Sequence, residues 1–352
     1  MAQLDTAPLW TWVNERHAIY IRKWIREGGW DSPGNPWPYA PEGADLEECD
    51  PEHFAVAESG PLTLDPVMSQ YRFCNVFREL DRVTDWIRRH IREPYADHPD
   101  LWLMLAIARY INWPETLQWL MNRGQTKCDF NAWPNTQGYG QPDFLPHFAF
   151  SPEALGNALD HWSSLGKKVY TGAYMIRAES NPKAEWYSWT KQQYVARIVI
   201  GRLWEDRETW ERHLSGSNHA EGVTLQSVWE RFQQPRYIGW GPFMAYQVVV
   251  DMRHTRFLRD APDINTWAAL GPGSRRGLNR LAGRPVDFAL TQARGLEEMR
   301  LIWEEQDARR APWVPPIDLS DIQNALCETD KYLRVQLGEG KPRAQYVPGR
   351  GW

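Results

Sequence analysis

The chain has 352 residues, of which 42% are hydrophobic and 24% are charged, a composition typical of a globular protein with a sizeable core. Its formal net charge of -5 argues against a general binder of polyanions, and no apolar run approaches the ~18 residues of a membrane-spanning helix. The N-terminal sequence lacks a basic stretch followed by an apolar one, and the four cysteines show no metal-binding spacing. We therefore expect a protein of a reducing cytoplasm, without a signal peptide, membrane contact, metal or cofactor.

Apolar residues recur at three- and four-residue spacing through most of the sequence, without a convincing set of alternating strands. This pattern predicts an all-α protein. Prolines, glycines and aspartates predict irregular structure in two stretches, residues 30–64 and 124–150. In chain order, helices are predicted over residues 9–27, 65–92, 100–112, 114–122, 152–165, 184–214, 224–234, 241–252, 274–281, 286–308 and 319–337.

No internal repeat or long low-complexity linker divides the sequence. We expect an N-terminal helix and ordered coil over residues 1–64 that pack on the core, followed by one catalytic domain over 65–337. The last residues, 338–352, are rich in Gly, Pro and Arg and are predicted to be a flexible tail.

The composition is unusual in its 21 tryptophans and in its 32 arginines, against only eight lysines. The guanidinium group binds phosphate in a bidentate manner and stacks on aromatic rings, so this composition suits a site for phosphates and bases. A GC-rich genome would enrich the same residue types. The composition by itself leaves both explanations open.

One local pattern, over residues 237–253, is that of a helix-hairpin-helix. A helix over 224–234 is followed by Gly239, Trp240 and Gly241 and then by a second helix. Glycines in such a turn adopt positive φ and bring backbone N–H groups up to a DNA phosphate, which predicts DNA contact for these three residues. The alternative is a glycine-capped helix joint without a ligand.

An aspartate, Asp263, follows Gly241 by 22 residues and begins a new element. In helix-hairpin-helix DNA glycosylases an essential aspartate stands at a similar place, facing the base pocket. The helix after Gly241 has no lysine, so this stretch offers no amine for a Schiff-base lyase.

Two other stretches, 71–87 and 321–334, mix polar and apolar residues at helical spacing. The first would present one polar stripe on a helix, made of Asn75, Arg78, Arg82 and Asp85. The second interleaves core residues with Gln323, Asn324, Glu328 and Lys331. Solvated faces, or cross-links between helices, are the structural alternatives for both.

These stretches, together with DINTWAALGPGSRRGL, resemble the alpha-glutamyl/putrescinyl thymine pyrophosphorylases, which include phage amino acid:DNA transferases. The resemblance covers residues 65–336. The helical domain of 5-hydroxymethyluridine (5-hmdU) DNA kinases shares much of this pattern, but the chain has no GxxxxGK[ST] phosphate loop, which favours a transferase over a kinase.

The resemblance implies a helix-hairpin-helix, DNA glycosylase-like fold and a late step of thymine hypermodification in an infected bacterium. The substrates would be double-stranded DNA carrying pyrophosphorylated 5-hydroxymethyluracil, made by a 5-hmdU DNA kinase, and a free amino acid or polyamine. The amine would displace pyrophosphate on a base flipped out of the helix. A DNA glycosylase and a non-catalytic DNA-binding partner of the kinase are the alternatives.

Within this interpretation, Asp263 is the predicted base that neutralises the incoming amine, and Asn75, Arg78 and Asp81 are the other predicted catalytic residues. Pyrophosphate is expected on Arg78, Arg82, Arg275 and Arg276, although the last two suit the DNA backbone equally well. The remaining predicted substrate contacts are Gln247 and Asn324 at the uracil edge, Tyr174 as a stacking ring, and Glu328 and Lys331. Helix cross-linking and core packing are their structural alternatives.

Overall fold

The computed structural model describes residues 4–26, 60–121, 151–216 and 222–340. The predicted irregular stretch 124–150, most of 30–64 and residues 341–352 of the predicted tail lie outside this range. The described residues form helices and turns without a β-strand, which confirms the all-α class. None of these helices combines the length and the apolar character needed to cross a membrane.

The chain divides into two compact units, one made of residues 1–81 and 264–352 and the other of residues 82–263. The expected catalytic domain over 65–337 is therefore shared between both units. The helices are α1 (Ala7–Arg26), α2 (Arg82–Ile87), α3 (Leu101–Ile111), α4 (Pro114–Met121), α5 (Pro152–Ser164), α6 (Lys191–Tyr194), α7 (Gly201–Glu205), α8 (Arg207–Leu214), α9 (Leu225–Phe232), α10 (Pro242–Met252), α11 (Pro272–Leu281), α12 (Gln292–Glu304), α13 (Gln306–Arg309) and α14 (Leu319–Gln336). Two π-helical turns, Arg88–Arg92 and Val195–Ile200, extend α2 and join α6 to α7.

Polar caps determine where several of these helices begin. The side chain of Thr190 accepts a hydrogen bond from the backbone of the first turn of α6, and Thr291 does the same for α12. Such caps satisfy backbone N–H groups that the helix itself leaves unpaired. The helices predicted from residues 184 and 286 therefore begin only at 191 and 292.

The prediction of one long helix over residues 65–92 is wrong, because the α-helix on this stretch begins only at Arg82. Oδ1 of Asp65 accepts hydrogen bonds from the backbone N–H groups of Val67 and Met68 and holds a local turn. Short polar side chains that capture backbone N–H groups in this way compete with the helix.

In the unit of residues 82–263, α3 is the central helix, and all eleven of its residues are buried. Its one ionised side chain, Arg109, donates to both carboxylate oxygens of Asp251 on α10 and, through Nη2, to Oγ1 of Thr84 at 2.8 Å. Both members of this ion pair are almost fully buried. The pair therefore connects two helices through the interior of the unit.

In the other unit, α11 lies very close to α14. A Cβ atom on Gly277 would overlap the backbone carbonyl of Leu326, so glycine is required by the approach of the two helices. The helix α1 also packs on α14. As a result, α14 has one face towards α11 and another towards α1 and residues 72–75.

Candidate active site

The segment between Arg72 and Asp81 forms a closed loop in the unit of residues 1–81 and 264–352. The backbone N–H of Asn75 donates to Oδ1 of Asp81 at 2.9 Å. Its side-chain Nδ2 donates to the same oxygen at 3.2 Å and to the carbonyl of Leu80 at 2.8 Å. A single 3-10 turn, Arg78–Leu80, lies inside the loop. Asp81 therefore closes the loop with Oδ1, and its Oδ2 lies outside these hydrogen bonds.

A buried arginine of α1, Arg16, anchors this loop. Its Nε donates to the carbonyl of Cys74 at 3.0 Å, and its Nη2 donates to the carbonyl of Phe73 at 3.4 Å. Sequence reasoning missed Arg16, although a signal was present. Trp12, Arg16 and Ile19 share one face of the helix by their spacing, and all three are buried.

The polar face of α14 holds the same loop through its backbone. Nδ2 of Asn324 donates to the carbonyl of Asn75 at 3.1 Å, and Oε2 of Glu328 accepts from the N–H of Cys74 at 3.0 Å. Nζ of Lys331 donates to the carbonyl of Arg72 and to Oε2 of Glu328. The structure therefore brings together six residues that the sequence predicted as functional, namely Asn75, Arg78, Asp81, Asn324, Glu328 and Lys331.

The carboxyl group of Asp81 has an unusual proton affinity. Burial raises its pKa to about 6, and the nearby Glu328 raises it further, while the backbone N–H of Asn75 and the positive charges of Arg16 and Arg78 lower it. Asp81 nevertheless keeps partial contact with solvent. A carboxyl group with a pKa close to neutrality can take up and release protons at physiological pH, as general bases do.

Asn75 has one further property of interest. Its side-chain oxygen, Oδ1, is buried and has no hydrogen-bond partner among the described residues. Buried acceptors are nearly always paired in folded proteins, so this oxygen is able to accept a hydrogen bond from a water or ligand donor.

Two cysteines also belong to this region: Cys74 lies in the loop and Cys327 on α14. Burial and the charge of Glu328 raise the pKa of the Cys74 thiol well above its ordinary value, and the same two causes raise that of Cys327 to about 12. The thiolate is the nucleophilic form of cysteine, so neither side chain suits nucleophilic catalysis. Among the described residues, no group of three His, Cys, Asp or Glu side chains is arranged to hold a metal ion.

The two arginines predicted in the turn before α11 differ in their surroundings. Nε of Arg276 donates to Asp330 of α14 at 2.9 Å, so this guanidinium group links two helices. Arg275 is exposed. Of the two, Arg275 is the more accessible to an anionic ligand.

Asp263, the predicted base, occupies a capping position in the unit of residues 82–263. Its Oδ1 accepts from the backbone N–H of Leu225 at 2.8 Å, and its Oδ2 accepts from that of Gln226 at 3.0 Å. A carboxylate at the first turn of a helix is stabilised by these N–H groups and by the helix dipole. This geometry favours a structural role for Asp263, and its role as base stays a prediction.

The glycine turn between α9 and α10 has the expected backbone conformation, but the ring of its tryptophan is not exposed as expected. Gly239 has a φ of +88°, and Gly241 precedes the first residue of α10. The ring of Trp240, however, is 2% exposed, and its Nε1 donates to the carbonyl of Val199 at 3.1 Å. We expected this ring to contact DNA, and that expectation fails because the side chain points into the core against Phe232 and Tyr110.

Three other predicted residues belong to this unit. The hydroxyl of Tyr174 lies 3.5 Å from Oε1 of Gln247, and its ring meets the half-exposed ring of Phe243 edge-on. Arg82 is exposed at the start of α2. Tyr174 and Gln247 are thus neighbours, as a shared substrate contact would require.

Residues 53–342 match the family described as the helical domain of 5-hmdU DNA kinase. The chain belongs to this family. A relative, the 5-hmdU DNA kinase of Bacillus phage SP10, is 26% identical over 310 residues, which make up 80% of this chain and 42% of the relative. The chain therefore spans less than half the length of that relative. No solved structure matches it.

Membership of the 5-hmdU DNA kinase helical-domain family confirms one part of the resemblance seen in the sequence. The matched residues include the whole Asn75–Asp81 loop and α14, whereas α1, which carries Arg16, precedes them. The narrower relation to the thymine pyrophosphorylases stays a prediction.

Proposed function

We propose that this chain is a transferase of thymine hypermodification, which joins an amine to a pyrophosphorylated 5-hydroxymethyluracil in DNA. The relative from phage SP10 is named for a kinase acting on 5-hmdU in DNA, and this supports a substrate of the same chemical type. The glycosylase-like, helix-hairpin-helix character of the fold belongs to the same proposal, supported by the helix pair α9 and α10 and the positive φ of Gly239.

The observation that carries the proposal is the carboxyl group of Asp81, with its pKa of about 6. In the reaction, the nitrogen lone pair of a neutral amine attacks the methylene carbon attached to the base. The bond from that carbon to the pyrophosphate oxygen breaks, and pyrophosphate leaves with the electron pair. The proton shed by the amine goes to Oδ2 of Asp81, which makes Asp81 the general base in place of Asp263.

The leaving pyrophosphate requires positive charge. Arg78 lies close enough to Asp81 to lower its pKa, so it is positioned to stabilise an anion beside the carboxylate. Arg275 of the same unit is exposed and supplies a further cationic group, while Arg276 is paired with Asp330. Arg82, in the unit of residues 82–263, stays a predicted pyrophosphate contact. Lys331 and Glu328 hold the backbone of the loop and thereby keep Arg78 and Asp81 in place.

The base itself needs groups that read its polar edge. We assign this role to Asn75, whose buried Oδ1 can accept a hydrogen bond from a donor such as the N3–H of uracil. Asn324 holds Asn75 in place by donating a hydrogen bond to the backbone carbonyl of Asn75. Tyr174 and Gln247, which are neighbours within the unit of residues 82–263, stay predicted substrate contacts of that unit.

The decisive experiment offers DNA containing 5-(pyrophosphoryloxymethyl)deoxyuridine to the protein together with glycine, glutamate or putrescine in turn. Digestion to nucleosides and mass spectrometry then identify the product, and pyrophosphate release is measured in parallel. We expect a nucleoside whose mass has increased by the amine. Free base with an abasic site would instead identify a DNA glycosylase.

Two matched variants identify the base. Asp81→Asn keeps an oxygen that accepts the hydrogen bond from Asn75 but cannot take a proton, and we expect turnover to fall by about 10²- to 10⁴-fold. Asp263→Asn removes the same charge at the cap of α9 and should keep most of the turnover of a folded protein. A large loss in Asp263→Asn with none in Asp81→Asn would reverse the two roles.

A second candidate function follows from the family description, which concerns a helical domain rather than a complete kinase. In that case the chain binds DNA for a catalytic partner. Absence of any product with every amine, together with tight binding of the same DNA, would support this alternative over the transferase.

A further inference from the structure

A basic stretch of the sequence lies in the unit of residues 82–263. Residues 165–202 contain seven Lys and Arg residues and two Glu residues, although the whole chain has a formal net charge of -5. One of the two acidic residues, Glu179, is engaged locally, because it accepts hydrogen bonds from Nε1 of Trp186 and from the backbone of Ser180 and Asn181. The stretch therefore presents a strong local excess of positive charge.

Five cations of this stretch lie over aromatic rings; Lys167 over Trp162 is one of them, and the other four are the following. Nζ of Lys168 is 3.7 Å from the ring centroid of Trp113, and Nζ of Lys191 is 5.8 Å from that of Tyr170. The guanidinium groups of Arg197 and Arg202 lie 4.5 Å and 5.7 Å from the rings of Trp189 and Trp186. We call the cations Lys168, Lys191, Arg197 and Arg202, with these four rings, the cation–aromatic strip.

The parts of the strip are connected. Tyr170, under Lys191, follows Lys168 by two residues, and Trp189 precedes Lys191 by two. At the other end, Nη1 of Arg202 donates to the carbonyl of Arg236, in the glycine turn between α9 and α10. The strip thus runs from the start of α4 to the turn that the sequence predicted to approach DNA.

The four cations also differ from many arginines of the molecule in what neutralises them. Elsewhere Arg88 pairs with Asp85, Arg280 with Asp330 and Arg284 with Glu298. Within the ranges that the structure describes, none of the four strip cations forms an ion pair with a carboxylate. Cations held by rings keep their positive charge available to an anion while their side chains are already ordered.

We propose that the cation–aromatic strip binds the phosphodiester backbone of DNA. This inference rests on the proposed function, since it supplies the surface by which the substrate DNA is held. Lysine and arginine side chains neutralise the phosphates of duplex DNA and release its condensed counterions, and cations without a carboxylate partner are available for this. The strip, and not the buried ring of Trp240, is the DNA-binding surface in this proposal.

The test measures binding of an unmodified 20-base-pair duplex by fluorescence anisotropy at a series of salt concentrations. Each lost phosphate contact lowers the slope of log K against log salt by about 0.9. The variant Lys191→Ala/Arg197→Ala/Arg202→Ala should therefore lose about 2 to 3 from this slope and bind at least roughly tenfold more weakly at low salt. Unchanged thermal unfolding, followed by circular dichroism, establishes that the variant is folded.

A control with the same loss of charge comes from the same unit. Arg89, Arg212 and Arg259 are exposed and have their own polar partners, so Arg89→Ala/Arg212→Ala/Arg259→Ala should leave the salt slope near that of the wild type. An equal loss of the salt slope in this control, or an undiminished salt slope in the strip variant, would overturn the proposal that the strip binds DNA.

The probe carries no modified base, so the two proposals fail separately. A strip variant that binds duplex normally overturns the strip even where the wild type forms the amine adduct. A strip variant that loses affinity, with a wild type that forms no adduct, overturns the transferase and supports the strip.

Discussion

Replacement of the proposed base should make the protein more stable at neutral pH. Asp81 has an ordinary pKa of 3.8 and a pKa of about 6 in the folded protein. Below pH ~4 the carboxyl group is protonated in the folded and unfolded chains alike, and it contributes no penalty. Between pH ~4 and ~6 the unfolded chain ionises first, so the free energy of unfolding falls as the pH rises. Above that range the full penalty remains.

The size of this penalty follows from the pKa difference. A shift of about two pKa units corresponds to about 3 kcal/mol, and the partial solvent contact of Asp81 makes this an upper value. Asp81→Asn removes the ionisation and keeps an acceptor for the two donors of Asn75. We therefore expect the variant to gain 1 to 3 kcal/mol at pH 7.5, by order of magnitude, and about nothing at pH 4.

Urea unfolding followed by tryptophan fluorescence, at pH values from 4 to 7.5, measures this difference. Asp263→Asn is the matched control, because it removes a carboxylate that caps α9 and should lose about 1 kcal/mol at neutral pH. Opposite signs for the two variants are expected. If Asp81→Asn were the less stable protein at pH 7.5, ionised Asp81 would be a stabilising residue, and its assignment as a base would lose its physical ground.

Three other substitutions test the packing described above by the free energy of unfolding. Arg109→Met leaves Asp251 charged and buried, so we expect a loss of about 3 to 5 kcal/mol, and a loss below about 1 would show that the pair is hydrated. Gly277→Ala should cost about 1 to 3 kcal/mol through overlap with the carbonyl of Leu326, against a gain if α11 and α14 were further apart. Trp240→Ala should cost about 3 to 5 kcal/mol and leave the salt slope of DNA binding unchanged, whereas an intact fold with a reduced slope would return Trp240 to the DNA surface.

The sequence predicted helices best where apolar spacing and a cap agree. The helix predicted over residues 319–337 is observed at Leu319–Gln336, with Asp318 as its cap. In this helix Asn324, Glu328 and Lys331 lie on one face by their spacing. What spacing could not supply was the partner of that face, since the partner is the backbone of a segment about 250 residues away.

The loop around Asn75 shows the opposite case. Its polar residues also have helical spacing, and this produced the wrong helix over residues 65–92. Asn75 and Asp81 form hydrogen bonds with each other and with the backbone, which a helix would not allow. Helical spacing suggested a functional stripe here, but these residues do not form the predicted helix. They lie close together because the chain forms a loop, which spacing could not predict.

The side chains around this loop differ in what they bind: most of them hold the loop backbone. Four side chains form hydrogen bonds with backbone atoms of residues 72–75, namely Arg16 of α1 and Asn324, Glu328 and Lys331 of α14. The loop is therefore held by two helices. Oδ2 of Asp81 takes no part in the hydrogen bonds by which this residue closes the loop, all of which use Oδ1. A reactive group held by neighbours that are themselves ordered loses little entropy when substrate binds. The polar residues of α14 therefore hold the loop in place, and in the proposed mechanism they support the carboxylate of Asp81 and do not react themselves.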